Sequence, residues 1–385
     1  MIKRCLQTQI IRAAKQFGVV SVTGPRQSGK TTLVKAVFPN HKYFNLEKLS
    51  DFQAIKADPL NFIDNIKNGV IIDEVQKFPE LLSYIQVSID ENFRPGKFII
   101  TGSQNLLLSD KISQSLAGRV AVLTLFPLSM AEVSGVNLSI KNYKKLLLKG
   151  FYPSLYDKKI DINLFYSSYI NTYVERDVRS IKNIGDLATF QRFLQLLAGR
   201  IGQLINLSQL GNDVGISYKT AESWISVLEA SYVIKKLQPY YNNLGKRVTK
   251  SYKIYFVDVG LAAYLLGINS INELSNHFIL GGLFENLIIM DLFKNKLNSF
   301  SSSKFFFFRD NHGNEVDLIL DHGSKIVPIE IKAGATFSTD FLKGINFFNK
   351  INNSDGGYLI YSGNLESSIN GTQLLNWLSL DKIRV

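Results

Sequence analysis

The stretch VVSVTGPRQSGKTTL, Val19 to Leu33, decides the fold. Val19, Val20 and Val22 form a β-branched run that reads as a short buried strand. Directly after it, Gly24-Pro25-Arg26-Gln27-Ser28-Gly29-Lys30-Thr31 satisfies G-x-x-x-x-G-K-[ST] at every position. Gly24 and Gly29 let the backbone close around an anion with its N–H groups turned inward. A helix starting near Lys30 and running on through Thr32 adds its positive end to the same point. Lys30 is then aimed at the β- and γ-phosphates, and the Thr31 hydroxyl at Mg²⁺. A glycine turn before an ordinary helix is the bland alternative. The pattern predicts an ATP-Mg²⁺ site built from residues 24–32.

Working outward, VIIDEVQKF places Asp73 and Glu74 at the end of an apolar strand, Val70 to Ile72. Beside a phosphate loop, such an Asp holds Mg²⁺ through water, and the following Glu polarises the attacking water. A third strand, Phe98 to Ile100, ends in Thr101-Gly102-Ser103. Ser103 is the first candidate for a γ-phosphate sensor and Thr101 the second; a plain strand-to-loop turn is the alternative. Arg119 precedes a strand at Val120 to Leu125. It is a candidate to reach a γ-phosphate in its own subunit or, in a homo-oligomer, a neighbour's; a surface ion pair is the alternative.

The whole chain of 385 residues is long enough for several domains, and 45% hydrophobic with 20% charged residues describes a folded protein. A net charge of +12 favours an anionic partner such as DNA, although a diffuse basic surface has the same sum. One cysteine, Cys5, excludes an internal disulfide framework and a Cys-rich metal site. No apolar run is long enough for a bilayer, and the N-terminus lacks a signal-peptide core. It reads instead as an amphipathic helix ending at Gly18. These features lead one to expect a cytoplasmic protein.

Beyond Phe151 the periodicity turns helical. Leu164, Phe165, Ser168, Tyr169 and Tyr173 are expected on one helix face. From Phe190 to Phe256 the cadence suits a winged helix. Ser208 is expected to cap a helix ending near Gly215, and Ser217 a second one that buries Ala221, Trp224, Ile225 and Leu228. A strand pair turning at NNLG follows. Ala230 to Val257 contains no acid, while Lys235, Lys236, Lys246, Arg247, Lys250 and Lys253 are interleaved with Tyr240, Tyr241 and Tyr252. That strip suits phosphate contact; protein packing is the alternative.

The last third holds a helix near Gly281 with Glu285 in its first turns, then strands EVDLILD and KIVPIEIKAG. Strand alternation puts Glu315 with Asp317, and Glu330 with Lys332. Adjacent strands would gather Asp317, Glu330 and Lys332, with Glu285 approaching from the helix. Carboxylates beside a lysine suit a Mg²⁺ or Mn²⁺ site with a water-orienting base. The alternative is an amphipathic hairpin with its charges in solvent.

VTGPRQSGKTTL, YFNLEKL, IIDEVQKFPELL, ITGSQ, SLAGR and FPLSMAEV together resemble the AAA+ branch of P-loop ATPases. With YVERDV, YFVDVGL, GGLFENLI, FFRDNHGNEVDLIL and VPIEIKAG, the chain resembles a prokaryotic family joining an AAA+ core to a nuclease-like tail. Asp317, Glu330-Ile331-Lys332 and the helical Glu285 resemble the PD-(D/E)XK superfamily, although Val316 stands where its name has proline. The resemblance implies an α/β chain: a P-loop AAA+ core with a parallel sheet over 1–135 and a helical lid over 136–186. A winged helix over 187–254 and a restriction-endonuclease-like α/β domain over 255–385 complete it. The implied function is ATP hydrolysis coupled to nucleic-acid engagement, with Glu74, Ser103, Arg119 and Lys332 in catalytic roles. Metal ligands would be Thr31 and Asp73 in the first site, and Glu285, Asp317 and Glu330 in the second. The alternative is an ATP-controlled DNA-binding regulator or protein-signalling switch whose tail does not cut.

Overall fold

A computed structural model describes residues 2–103, 115–136, 141–178, 186–241 and 251–385, with side chains omitted at 175–178. The first five strands are β1 (Val19–Thr23), β2 (Lys42–Asn45), β3 (Val70–Asp73), β4 (Phe98–Gly102) and β5 (Val120–Thr124). They form one parallel sheet in the order β2-β3-β4-β1-β5. Its two faces are covered separately. Ile72, Leu82, Ile85 and Ile100 pack in one cluster, and Leu6, Ile10, Val22 and Leu33 in the other. A parallel sheet needs this double covering, and the uninterrupted burial of β1, β3 and β4 follows from it.

The helix Lys30–Val37 begins where β1 and its loop end. Gly29, its N-cap residue, adopts φ 91°, a left-handed conformation suited to glycine. Gly24 is required for a different reason: a Cβ there would lie 2.2 Å from the Leu125 carbonyl oxygen. The expected N-terminal helix ending at Gly18 is shorter, Gln7–Ala14.

A helical region follows. Helices Tyr143–Lys149, Ser154–Asp157 and Ile162–Tyr169 lead into a π-helical stretch, Ile170–Val178. Phe165, Tyr166, Tyr169 and Tyr173 are buried together, but Leu164 is 64% exposed and Ser168 is also exposed. The apolar stripe is therefore rotated by about one residue from the expected face, because the large aromatic rings occupy the core.

Next come helices Leu187–Ala198, Leu207–Val214 and Tyr218–Ala230. Ser217 caps the last of these, and Ala221, Trp224, Ile225 and Leu228 are buried as expected. The preceding helix is capped by Asn206 and not by Ser208: the Asn206 side chain accepts from the Gln209 N–H at 3.0 Å. Starting at Leu207 puts Leu207, Leu210 and Val214 on the buried side.

The remaining strands are β6 (Ile234–Pro239), β7 (Lys253–Phe256), β8 (Lys304–Arg309), β9 (Glu315–Asp321), β10 (Ile326–Lys332), β11 (Gly357–Tyr361), β12 (Ser367–Ile369) and β13 (Thr372–Asn376). They form an eight-stranded mixed sheet in the order β12-β13-β11-β10-β9-β8-β6-β7. β6 pairs with β7 and also, in parallel, with β8. The hairpin of the expected winged helix is thus the end of the C-terminal sheet, and no break in the structure falls between residues 254 and 255. One continuous apolar core joins Leu147, Tyr166, Leu228, Phe256, Leu287 and Ile329, so the helical region and this sheet share an interior.

Candidate functional site

The phosphate loop lies at the C-terminal end of β1, where α/β sheets bind ligands. Lys30 is 5% exposed, and its Nζ donates to the carbonyl oxygens of Gly24 at 3.0 Å and Pro25 at 2.8 Å. Burial lowers its pKa to about 8 against the pull of Glu74 and Asp73. Among the described residues this buried ammonium hydrogen-bonds to neutral carbonyls, and the nearby Glu74 and Asp73 compensate it incompletely, so a polyanion in the loop relieves a real cost. Ser28 Oγ is likewise buried without a hydrogen-bond partner in the same loop.

The Thr31 hydroxyl donates to Asp73 Oδ2 at 2.8 Å. Tyr43 donates to the same oxygen at 2.8 Å, and Thr101 donates to Oδ1. Register explains the gathering, since Asn45 on β2 pairs with Asp73, and Thr101 lies on the neighbouring β4. A threonine hydroxyl and a carboxylate in contact are the hard oxygen donors Mg²⁺ prefers, and the residues fit that ion. Glu74 follows with φ 55°, a left-handed conformation unusual for a non-glycine residue. Its Oε2 accepts from Ser103 Oγ at 3.1 Å and from the Gln76 side chain. Ser103 and Thr101 therefore both belong to the site, one holding Glu74 and the other Asp73.

A cavity of about 420 Å³ opens in front of the loop. Gln27, Gly29, Lys30, Thr31, Thr32 and Glu74 form one wall, and Pro153, Asp157, Lys158, Tyr169 and Tyr173 of the helical region form the other. The helical region therefore faces the loop across this cavity. Behind the loop, Arg4 donates to the carbonyl oxygens of Ser28 and Phe126, both at 2.6 Å, and pairs with Glu132 at 3.1 Å.

Arg119 is elsewhere. β5 runs parallel to β1 with Val19 opposite Val120, and the Val19 N–H bonds to the Arg119 carbonyl. This puts Arg119 at the N-terminal end of the sheet, away from the loop, where its guanidinium grips both oxygens of Asp90 at 2.5 and 2.8 Å. It cannot complete the site of its own subunit.

Part of the expected C-terminal set converges. Lys332 Nζ lies 2.9 Å from Glu330 and 3.5 Å from Asp317. The β9–β10 ladder ends at Leu318–Ile329, and beyond it the Ile331 N–H donates to Asp317 Oδ2 at 2.8 Å. Glu285 accepts from Tyr255 at 2.5 Å and Lys253 at 3.3 Å, and Lys253 also reaches Glu315 at 2.5 Å. Burial raises the Glu285 carboxyl to about 7 despite Lys253, and burial beside Asp317 holds Glu330 well above the usual carboxylate range. Among the described residues, no group of three or more His, Cys, Asp or Glu side chains is arranged to hold a metal ion. Of the expected set, Asp317, Glu330 and Lys332 therefore lie together, while Glu285 is engaged by Tyr255 and the buried Lys253.

The expected basic strip is also altered. Lys253 is 1% exposed, and Lys235 and Lys236 both pair with Glu229, at 3.4 and 3.3 Å. Tyr240 packs against Phe306 and Phe348. Lys246, Arg247 and Lys250 lie outside the described residues, as does the NNLG turn, and the side chains of Arg176 and Asp177 are not described. Of the described hairpin cations, Lys253 is buried, and Lys235 and Lys236 are partly exposed but paired with Glu229.

Tyr43, Gln76, Arg4 and Lys253 escape sequence reasoning. Tyr43 and Gln76 had a signal, their places in YFNLEKL and IIDEVQKFPELL; Arg4 looks like an ordinary surface base until folding buries it, and Lys253 like one base of an exposed strip.

Residues 16–134 match a family model described as an AAA domain. Residues 140–272 and 280–380 match two described as domains of unknown function, DUF8612 and DUF4143. The first of these two crosses the expected border at residue 254. Uncharacterized protein Rv2008c of Mycobacterium tuberculosis is 29% identical over 337 residues, covering 87% of this chain and 74% of its own length. Uncharacterized protein MJ1544 of Methanocaldococcus jannaschii is 27% identical over 335 residues, covering 78% of this chain and 71% of its own length. Among solved structures, the Walker-type ATPase paby2304 of Pyrococcus abyssi overlaps with a TM-score of 0.43 at 16% identity, over 69% of this chain and 96% of that one. No helix among the described residues is long and apolar enough to cross a membrane. The chain is an ATPase-like protein with an AAA domain over residues 16–134 and a DUF4143 domain over residues 280–380.

Proposed function

We propose that the chain binds ATP with Mg²⁺ and hydrolyses it, and that nucleotide state is passed to the eight-stranded sheet. The observation carrying this is the buried Lys30 ammonium on its own loop carbonyls, at the mouth of a cavity shared with Thr31 and Glu74. Lys30 exchanges those carbonyls for phosphate oxygens. Thr31 and Asp73 hold Mg²⁺, which neutralises charge on the phosphoryl oxygens when bound. Tyr43 and Thr101 fix the Asp73 carboxylate. Glu74 orients the attacking water and takes its proton, while Ser103 and Gln76 hold Glu74 in position. Phosphate release from ATP tests this. Glu74→Gln is expected to lose about 10²-fold or more in turnover and keep ATP binding; hydrolysis at the wild-type rate in that variant would contradict the assignment.

The link to the second sheet rests on two hydrogen bonds. Tyr232 donates to Thr23 Oγ1 at 3.0 Å, one residue before the loop, and Tyr173 of the cavity wall donates to the Ser231 carbonyl at 2.6 Å. β6 starts two residues after Tyr232. Because the buried Lys253 ties up Glu285 and Glu315 in ion pairs, this reading favours a nucleotide-controlled switch with a non-cleaving tail over a nuclease. Labelled DNA incubated with the protein, ATP and Mn²⁺ should stay intact; products that disappear in Asp317→Ala would restore the nuclease.

A further inference from the structure

Arg26 stands in the middle of the phosphate loop, and its Nη2 lies 3.1 Å from Glu47 Oε1. Hydrogen bonds fix the turn that carries Glu47. Asn45, in register with Asp73, accepts the Glu47 N–H on its side-chain oxygen at 2.9 Å, and the Leu46 N–H donates to the Asp73 carbonyl at 3.0 Å. The turn carrying Glu47 is therefore fastened to the residue that faces Thr31. Arg26 lines the same cavity as Lys30, Thr31 and Glu74, and it is the one arginine among the described residues lining it. Arg119, at the far end of the sheet, cannot serve there.

We propose that Arg26 is the cation that binds the γ-phosphate within its own subunit, and that Glu47 holds it aside until a triphosphate arrives. This rests on the ATPase reading above and assigns the arginine role that Arg119 leaves open. The Arg26–Glu47 pair is partly exposed, with side chains 28% and 41% accessible. Pairs of this kind are weak and readily exchanged. A guanidinium can instead grip two oxygens of a terminal phosphate, which carries more charge than one carboxylate. ADP lacks the γ-phosphate that reaches this position and leaves Arg26 on Glu47, so the pair separates ATP from ADP. In the hydrolytic step, the oxygen of water bonds to the γ-phosphorus and the bond from that phosphorus to the β–γ bridging oxygen breaks. The bond's electrons leave with ADP, and the water proton passes to Glu74. Arg26 stabilises the charge spread over the γ-oxygens meanwhile.

The test compares Arg26→Ala, Arg26→Lys, Glu47→Gln and Lys30→Ala in the full chain. Affinities for ATP and ADP with Mg²⁺ are read by displacement of a fluorescent nucleotide, beside phosphate release. Arg26→Ala is expected to lose about 10²-fold or more in kcat. It should also weaken ATP binding while ADP binding stays within about twofold, and Arg26→Lys should restore part of the ATP preference but little of kcat. Glu47→Gln should strengthen ATP relative to ADP. Equal weakening of both nucleotides in Arg26→Ala would make Arg26 a loop-supporting residue and overturn the proposal. So would ATP binding that falls in Glu47→Gln. If Lys30→Ala binds both nucleotides as the wild type does, the ATPase reading itself fails, which is a different result from a silent Arg26.

Discussion

Lys30 carries the chemistry at the scale of a single residue, and its burial makes it measurable. Its pKa falls from an ordinary 10.5 to about 8, chiefly through desolvation. Binding a triphosphate needs the charged form, so affinity for ATP-Mg²⁺ should be flat below pH 8 and fall up to about tenfold per pH unit above it. The same group acts oppositely on the nucleotide-free fold. Between pH 8 and 10.5 the unfolded chain holds the proton and the folded one has released it, so this residue's contribution to stability rises across that window. Lys30→Met should remove the stability trend; parallel stability–pH profiles for wild type and variant would refute it. The loop, Asp73 and Glu74 are legible in the sequence because a short motif binds phosphate through its own backbone. Arg4 is not legible, because its partners are distant: it meets Phe126 and Glu132 only after folding.

Among the elements, β7 shows how burial reverses a sequence reading. Lys253 looks like one base in an acid-free strip, yet pairing of β7 with β6 turns it inward against Glu285 and Glu315. Removing one partner of such a buried pair leaves uncompensated charge, at a cost of about 3–5 kcal/mol. Lys253→Ala should lower the urea midpoint accordingly, and adding Glu285→Gln should recover part of the loss. A Lys253→Ala midpoint equal to wild type would contradict the buried pairing. The Ser217 cap and the strands in EVDLILD and KIVPIEIKAG are read correctly from periodicity and turn residues. Periodicity is less able to choose between Asn206 and Ser208, both good caps two residues apart, or to see that aromatic bulk displaces Leu164 from the core.

The whole molecule joins two sheets through one helical region. The sequence alone suggests separate modules in a row, because hydrophobic pattern is local and sheet order is not. β6 adds to β8 across a span of more than sixty residues, a pairing no motif announces. Tyr232 is the point where both sheets meet, buried at φ 57° with its hydroxyl on Thr23. Tyr232→Phe removes one hydrogen bond and should cost only about 1 kcal/mol in stability. Hydrogen exchange should then show ATP protecting β6 in the wild type but not in the variant; equal protection in both would break the proposed link. The central claim is that the loop at Gly24–Thr31 holds a magnesium-bound triphosphate. Equilibrium binding of ATP-Mg²⁺ to the full chain tests it most directly. Saturable binding, with one nucleotide per chain and lost in Lys30→Ala, is the predicted result; absence of binding, or binding indifferent to Lys30→Ala, would contradict it.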